Sequence, residues 1–458
     1  MGRELTKQDA RASLIRLLNT GHLLLTIGSY YLTFRLSIQL GPLESRYYLY
    51  VAALYGVLLY LFDRTYNAYL VGFMSPGDLA YSQSLSSTLS LLIVYTLTAL
   101  AWTRFYNIAP FLLLLLCQIL LNLIWSHFIT NLYFKLIPTK KTVVVYGKEE
   151  DLLRIGEIKD NPRKFSLDTY IREDALMDFQ QTLEGYEAMF VIGINAALRN
   201  QLAQHCAQRG IQGYFLPDVG DVLLSGARHI QSYSVPILNV ERKVPAPEFL
   251  FIKRCFDILA SLLGLAVASP FMLLTALAVW LYDRGPVFYT QTRLTKDGKL
   301  FHMIKFRSMR VDAEKDGVAR LTTEGDERIT PVGRLIRAIR MDELPQLINI
   351  LKGDMSIVGP RPERPEIASQ YTKEFPAFAL RLQVKAGLTG YAQVYGRYNT
   401  DPRDKLEMDL MYINKMGIFT DMMLIFGTLR ILFVKESTSG IQAGHITANL
   451  SETNEEQK

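Results

Sequence analysis

The run "ILASLLGLAVASPFMLLTALAVWL", Ile258–Leu281, decides how the chain is built. It is long enough to cross a bilayer, which takes ~20 apolar residues. A simple crossing would put everything after it on the far side of the membrane. Two features argue otherwise. Basic residues flank both ends, Lys253 and Arg254 before it and Arg284, Arg293, Lys296 and Lys299 after it. Ser269-Pro270 sits at the centre, where a proline removes a backbone hydrogen bond and kinks a helix. Two short half-helices could enter one leaflet and return, with Ser269 satisfying a freed carbonyl. Re-entry is the favoured reading of these residues; a kinked crossing stays open.

Upstream of this run, apolar stretches cover roughly 20–40, 47–63, 82–103 and 106–128. Each is near spanning length, although Arg35 and Asp63 blur two of the edges. Four in a row with short connections predict four transmembrane helices rather than a buried soluble core. Arg3, Lys7, Arg11 and Arg16 precede them and Lys135, Lys140 and Lys141 follow, while the intervening outer loops carry only Arg46 and Arg104. Both ends are therefore expected in the cytoplasm. Tyr30, Tyr31, Tyr47 and Tyr48 are expected as interface anchors. No cleavable leader is expected.

Between the spans and the central run, "TVVVYG" and "AMFVIGI" read as buried strands, "NAALRNQLAQHCAQRG" as a helix and "IQGYFLPDV" as a third strand. Residues 140–242 are expected to form a small α/β module of Rossmann-like type. Its first strand runs into "YGKEEDLL" without the G-x-G-x-x-G turn, so a structural or regulatory role is favoured over nucleotide binding. "VERKVPAPEF" reads as a linker. The tail 441–458 is polar and expected to be disordered.

Composition narrows the function. The 458 residues are 49% hydrophobic, with a mean hydropathy of +0.12. A net charge of +6 suits contact with anionic lipid and does not point to nucleic acid. Cys117, Cys206 and Cys255 form no metal or disulfide pattern, and six scattered histidines offer no cluster.

Chemistry concentrates past the central run, in "RLIRAIRMDELPQLINILKGDMSIVGPRPERPE", Arg334–Glu366. "PVGRLIRAI" is expected as a short helix begun by Pro331, with Arg334 and Arg337 on one face. Asp342 stands where an N-cap belongs, ahead of a helix ending at Gly353. Adjacent carboxylates such as Asp342 and Glu343 raise each other's pKa unless a cation intervenes, and arginines or Mg²⁺ supply it. Arginine and lysine also hold phosphate, so acids, metal and arginines together outline phosphoryl chemistry. A carboxylate can itself attack phosphorus. "GPRP" stiffens the loop around Arg361. "KDGK", 296–299, separates two strands of a hairpin, one of which carries His302.

The segments "KRCFDI", "GPVFYTQTR", "KFRSM", "RITPVGRLIR", "MDELPQLINILKGDMSIVGPRP" and "GLTGYAQV", in this order with the Ser-Pro-broken run, resemble the bacterial sugar transferase family. These are the monotopic polyprenol-phosphate phosphoglycosyl transferases. The resemblance implies a mostly α catalytic domain over about 248–440, anchored by a re-entrant helix near 258–281 that Ser269 and Pro270 break. It implies transfer of a sugar-1-phosphate from a UDP-sugar to undecaprenyl phosphate, with UMP released, on the cytoplasmic face of the bacterial inner membrane. Asp342 would be the nucleophile and Glu343 its partner, the two holding Mg²⁺. Lys305, Arg307, Arg337 and Arg361 would bind phosphate; Arg364, Gln393 and Arg397 are secondary candidates for the nucleotide-sugar, Gln393 and Arg397 standing equally open to a role in the "GLTG" turn. The lipid bilayer is the expected setting, and the extra module and spans leave room for a homodimer. The competing reading is a membrane scaffold or sensor whose Rossmann-like module binds a nucleotide.

Overall fold

The computed structural model describes residues 2–38, 46–155, 163–176, 182–232, 235–242, 245–311, 313, 326–396 and 401–431. They fall into two compact units, Met1–Leu216 and Pro217–Lys458.

The first unit begins with four helices: α1 (Gly2–Ser37), α2 (Arg46–Thr65), α3 (Pro76–Ala101) and α4 (Ala109–Leu136). Successive helices pack side by side, and α4 returns to α1. In α3 and α4 the polarity is inverted relative to a water-soluble bundle, while α1 and α2 bury aromatic and aliphatic residues such as Tyr30, Phe34, Tyr55 and Leu59. Ser82, Ser86, Ser87 and Ser90 of α3 and Gln118, Asn122 and Ser126 of α4 are buried. Leu112, Leu113, Leu116 and Leu120 of α4 face outward. Inside, Tyr55 donates to Gln118 at 3.0 Å and Gln118 to Ser29 at 3.1 Å, bonds an apolar surrounding makes costly to lose. Both α3 and α4 are long and apolar enough to cross a membrane.

A small parallel sheet follows: β1 (Lys140–Tyr146), β2 (Phe165–Arg172), β3 (Ala188–Ile192) and β4 (Gln212–Phe215), in the order β2-β1-β3-β4. Val143, Val144 and Val145 are fully buried, as an interior parallel strand requires. α5 (Ala196–Arg209) starts on the Asn195 side chain, which accepts from the Leu198 N–H at 2.9 Å, and stops at Gly210 in the left-handed region. β2 is an addition to the expected strands. Its sequence, "FSLDTYIR", has no continuous apolar run because it lies at the sheet's edge.

In the second unit, α6 (Val219–Ser225) and an antiparallel pair, β5 (Arg228–Ser232) and β6 (Val235–Asn239), lead to α7 (Pro247–Asp283). α7 is the third helix long and apolar enough to cross a membrane. The residues it buries are mostly polar or small, Asp257, Ser261, Thr275 and Val279. The residues it exposes include Leu259, Leu263, Val267, Leu273 and Leu274. A helix that hides its hydroxyls and shows its leucines is built for lipid. These three helices mark a membrane protein.

The Ser269-Pro270 pair behaves as its chemistry demands, with one correction. Helical residues continue through Pro270, so no gap separates two half-helices. The proline leaves the Ala266 carbonyl without its usual N–H donor, and Ser269 Oγ donates to that oxygen at 2.8 Å. The basic residues before the run are also more than topological signals. Arg254 donates to the carbonyls of Ile350 and Leu351 at 2.6 and 2.7 Å, while Lys253 pairs with Asp421. Asp257 accepts from the Ile357 N–H at 3.0 Å. The first turns of α7 are thus fastened to the polar part of the unit.

The remaining elements are a hairpin, β7 (Phe288–Leu294) and β8 (Leu300–Phe306); α8 (Pro331–Ala338); α9 (Gln346–Lys352); β9 (Ser356–Val358); α10 (Pro365–Glu374); β10 (Gly387–Thr389), parallel to β9; α11 (Tyr391–Tyr395); α12 (Pro402–Asn414); and α13 (Ile418–Ile431). The hairpin turns at Lys296–Gly298, with Asp297 and Gly298 at φ +58° and +74°. His302 lies on β8 as a strand residue. The tail 441–458 lies outside the described residues.

Candidate active site

α8 forms where the sequence places it. Thr330 accepts from the Gly333 N–H at 2.9 Å, and Pro331 opens the first turn. After Ala338 the chain must turn sharply, and Arg340 does so at φ +56°, a conformation rare for a side-chain-bearing residue. Asp342 and Glu343 follow in a single 3₁₀ turn, Met341–Glu343. Asp342 is therefore not an N-cap, and no side chain caps α9, whose flanking residue is Pro345. The expected end at Gly353 holds: it sits at φ +95° and donates to the Asn349 carbonyl at 3.1 Å.

The dyad meets three cations from three places. Glu343 Oε1 accepts from Arg361 Nη2 at 2.9 Å and from Lys305 Nζ, on β8, at 3.4 Å. Its Oε2 lies 3.6 Å from Arg340 Nη1. Burial alone would raise the Glu343 pKa, but Arg361, Lys305 and Arg340 outweigh it and hold the carboxyl well below its usual range. Asp342 differs. Burial and the neighbouring Glu343 charge raise its pKa, against the opposing pull of Lys305, Arg337 and Arg340. No hydrogen bond or ion pair engages the Asp342 carboxylate among the described residues. Of two adjacent acids, one is clamped as an anion and the other is left available. Lys305 itself is pushed below its usual range by burial, with Glu343 opposing.

The structure thus gathers Asp342, Glu343, Lys305, Arg337 and Arg361. It does not bring Arg307 to the dyad: that guanidinium is buried against Gly285 and paired with Asp283 at the end of α7. Arg364 precedes α10, 3.7 Å from Glu366. Gln393 lies on α11, packed against Gly390, with both amide atoms buried and without a hydrogen-bond partner among the described residues. Arg397 lies outside the described residues. Arg340 joins the cluster although only its place beside the dyad hinted at it.

Asp342 and Glu343 fit a magnesium site of the sparse kind, in which one or two carboxylates hold the ion and phosphate oxygens and water complete its shell. Asp342 is the open donor; Glu343 already faces three cations. Among the described residues no group of three or more acid, histidine or cysteine side chains offers a fuller cage.

The profile of the family described as "Bacterial sugar transferase" matches residues 249–435. An Aeromonas hydrophila protein, UDP-N-acetylgalactosamine-undecaprenyl-phosphate N-acetylgalactosaminephosphotransferase, is 38% identical over 50% of this chain and 53% of its own. The UDP-glucose:undecaprenyl-phosphate glucose-1-phosphate transferase of Escherichia coli (strain K12) is 39% identical over 47% of this chain and 45% of its own. This chain spans about half the length of those two relatives. An exopolysaccharide production protein of Rhizobium leguminosarum bv. phaseoli is 42% identical over 42% of this chain and 98% of its own. The family match at 249–435 contains the acid dyad, its cations and the Pro-Arg-Pro loop, and the last relative is matched almost end to end; the chain belongs to the bacterial sugar transferase family.

Proposed function

We propose that the protein transfers a sugar-1-phosphate from a UDP-sugar to undecaprenyl phosphate, giving undecaprenyl-diphospho-sugar and UMP. This would be the first membrane step in building an exopolysaccharide, capsule or O-antigen repeat unit. An Asp342 carboxylate oxygen attacks the sugar-bearing phosphorus; the bond to the bridging oxygen breaks and UMP leaves with it. The phosphate of undecaprenyl phosphate then attacks the same phosphorus, breaks the acyl-phosphate bond and restores Asp342. Two successive displacements on one nucleophile allow donor and acceptor to use the same cations in turn.

The observation that carries this reading is the unequal dyad. Glu343 is held as an anion by Arg361, Lys305 and Arg340, while Asp342 stands beside it with no ion pair among the described residues. Arg361, Arg337 and Lys305 then hold phosphate oxygens on the donor or acceptor. Magnesium, when bound through Asp342 or Glu343, would neutralise charge on those phosphates. Arg364, Gln393 and Arg397 are assigned more weakly to the nucleotide-sugar.

The setting proposed is the bacterial inner membrane. α1–α4 make four spans, the parallel sheet is a Rossmann-like module, and α7 re-enters the cytoplasmic leaflet. That arrangement lets one site meet a cytosolic donor and a lipid headgroup. The names of the relatives put UDP-glucose and UDP-N-acetylgalactosamine on the donor panel; UDP-galactose and UDP-N-acetylglucosamine complete it. In membranes with undecaprenyl phosphate and Mg²⁺, UMP release with one of these donors is expected, and its loss in Asp342→Asn. Full turnover in that variant would overturn the proposal.

A further inference from the structure

The Pro-Arg-Pro loop has almost no hydrogen-bonding capacity of its own, because Pro360 and Pro362 lack an N–H. What it can offer is carbonyls, and each one from 360 to 363 is taken from outside. The Gly387 N–H donates to the Pro360 oxygen at 2.9 Å, and the Leu294 N–H to that of Glu363 at 3.0 Å. The middle two are held by arginine side chains. Arg381 Nη2 donates to the Arg361 oxygen at 2.9 Å, and Arg293 Nη1 to the Pro362 oxygen at 3.1 Å.

Arg381 is itself fixed on several sides. Its side chain is 4% exposed. Nη2 lies 2.7 Å from Asp409 Oδ2, on α12, and Nη1 lies 3.4 Å from Glu363 Oε1. The Phe378 ring lies 4.8 Å from the guanidinium. Burying such charges carries a desolvation penalty that a well-packed apolar residue avoids, so stability alone gives no reason to keep them. What they provide is a rigid donor on the backbone of Arg361, the residue whose guanidinium reaches Glu343 at 2.9 Å.

We propose that Arg381 is a positioning residue: seated between Asp409 and Glu363, it fixes the Arg361 backbone and so aims the Arg361 guanidinium at the acid dyad and the donor's phosphates. The inference rests on the phosphoglycosyl transfer reading. Arg381 touches no substrate; its effect passes through Arg361, since a small misplacement of a clamp costs much rate.

The test uses the full-length protein in lipid nanodiscs, comparing wild type, Arg381→Lys, Arg361→Lys and the double variant. UMP release and thermal unfolding are measured together. Lysine at 381 keeps the charge but cannot bridge a carbonyl and two carboxylates at once. Arg381→Lys should raise KM for the UDP-sugar and lower kcat/KM about tenfold to a hundredfold, with little change in the KM for undecaprenyl phosphate or in Tm. The double variant should be no worse than Arg361→Lys alone, because both changes remove one effect. Asp409→Asn, which frees Arg381 without removing it, should show the same KM rise and is the alternative should Arg381→Lys fail to fold. Multiplying losses in the double variant, or losses that track Tm, would overturn the proposal, as would failure of both single variants to fold. If wild type turns over and Arg381→Lys matches it, this proposal falls and the function stands. No UMP release by wild type with any donor removes both.

Discussion

Two segments of the second unit meet at Glu343 and are held by opposite means. The turn at 340–343 is set by its own backbone: Arg340 takes φ +56°, and the dyad follows in one 3₁₀ turn. The loop at 360–363 is set from outside, with two of its four consecutive carbonyls held by arginine side chains. A backbone turn moves little when a side chain is cut, whereas a loop held by side chains moves when one is lost. The comparison implies a nucleophile whose position depends little on neighbouring side chains and a clamp sensitive to residues that touch no substrate.

The largest effect should come from the nucleophile. Asp342→Asn should lower UMP release at least about a thousandfold with Tm unchanged, since the turn does not depend on the carboxylate. An unfolded Asp342→Asn would break the comparison by making the dyad part of the scaffold. Next comes the loop's backbone. A methyl group at Gly359 would lie 2.4 Å from the Lys385 carbonyl oxygen and 2.9 Å from the Gly387 nitrogen, backbone atoms with little freedom to move. Gly359→Ala should therefore destabilise the unit by about 1–3 kcal/mol and cut activity as well, measured by thermal unfolding beside UMP release.

A smaller effect concerns pH. Burial and the Glu343 charge raise the Asp342 pKa, and attack requires the ionised form. Activity should thus fall as pH drops, beginning above the ordinary carboxylate pKa of about 4. Glu343→Gln removes the raising charge, so whatever activity remains should lose its acid limb at lower pH. An unmoved limb would separate the two acids. Smallest of all, Ser269→Ala removes the bond to the Ala266 carbonyl and should cost about 0.5–1.5 kcal/mol, read as a lower Tm with the site's KM values intact.

Much of this was legible because local chemistry fixed it. Pro331, Gly353 and the Asp297-Gly298 turn each carry a conformational preference that needs no distant partner. The buried strands at 143–145 and 188–192 announced themselves by continuous apolar runs. What stayed hidden depends on distant packing. Asp342 looked like an N-cap, but the left-handed Arg340 redirects the chain ahead of it. "FSLDTYIR" is mixed in polarity because β2 is an edge strand. Lys253 and Arg254 read as flanking charge, although each has a partner about a hundred residues away or more, in Asp421 and the end of α9. Arg307 carries the same charge as Lys305 two positions earlier in "KFRSM", yet pairs with Asp283. Arg381 and Asp409 stand in none of the quoted motifs, and Arg293, at the end of "GPVFYTQTR", gave no sign of its target; only the folded loop gives the three a role.

The central claim is that Asp342 takes the phosphosugar before the lipid does. It is tested most directly by mixing enzyme and the active UDP-sugar with no undecaprenyl phosphate and counting UMP. A burst approaching one UMP per chain is expected, absent in Asp342→Asn, followed by steady release once the lipid is added. No UMP until the lipid arrives, with turnover normal thereafter, would contradict a covalent intermediate and make the reaction a single displacement.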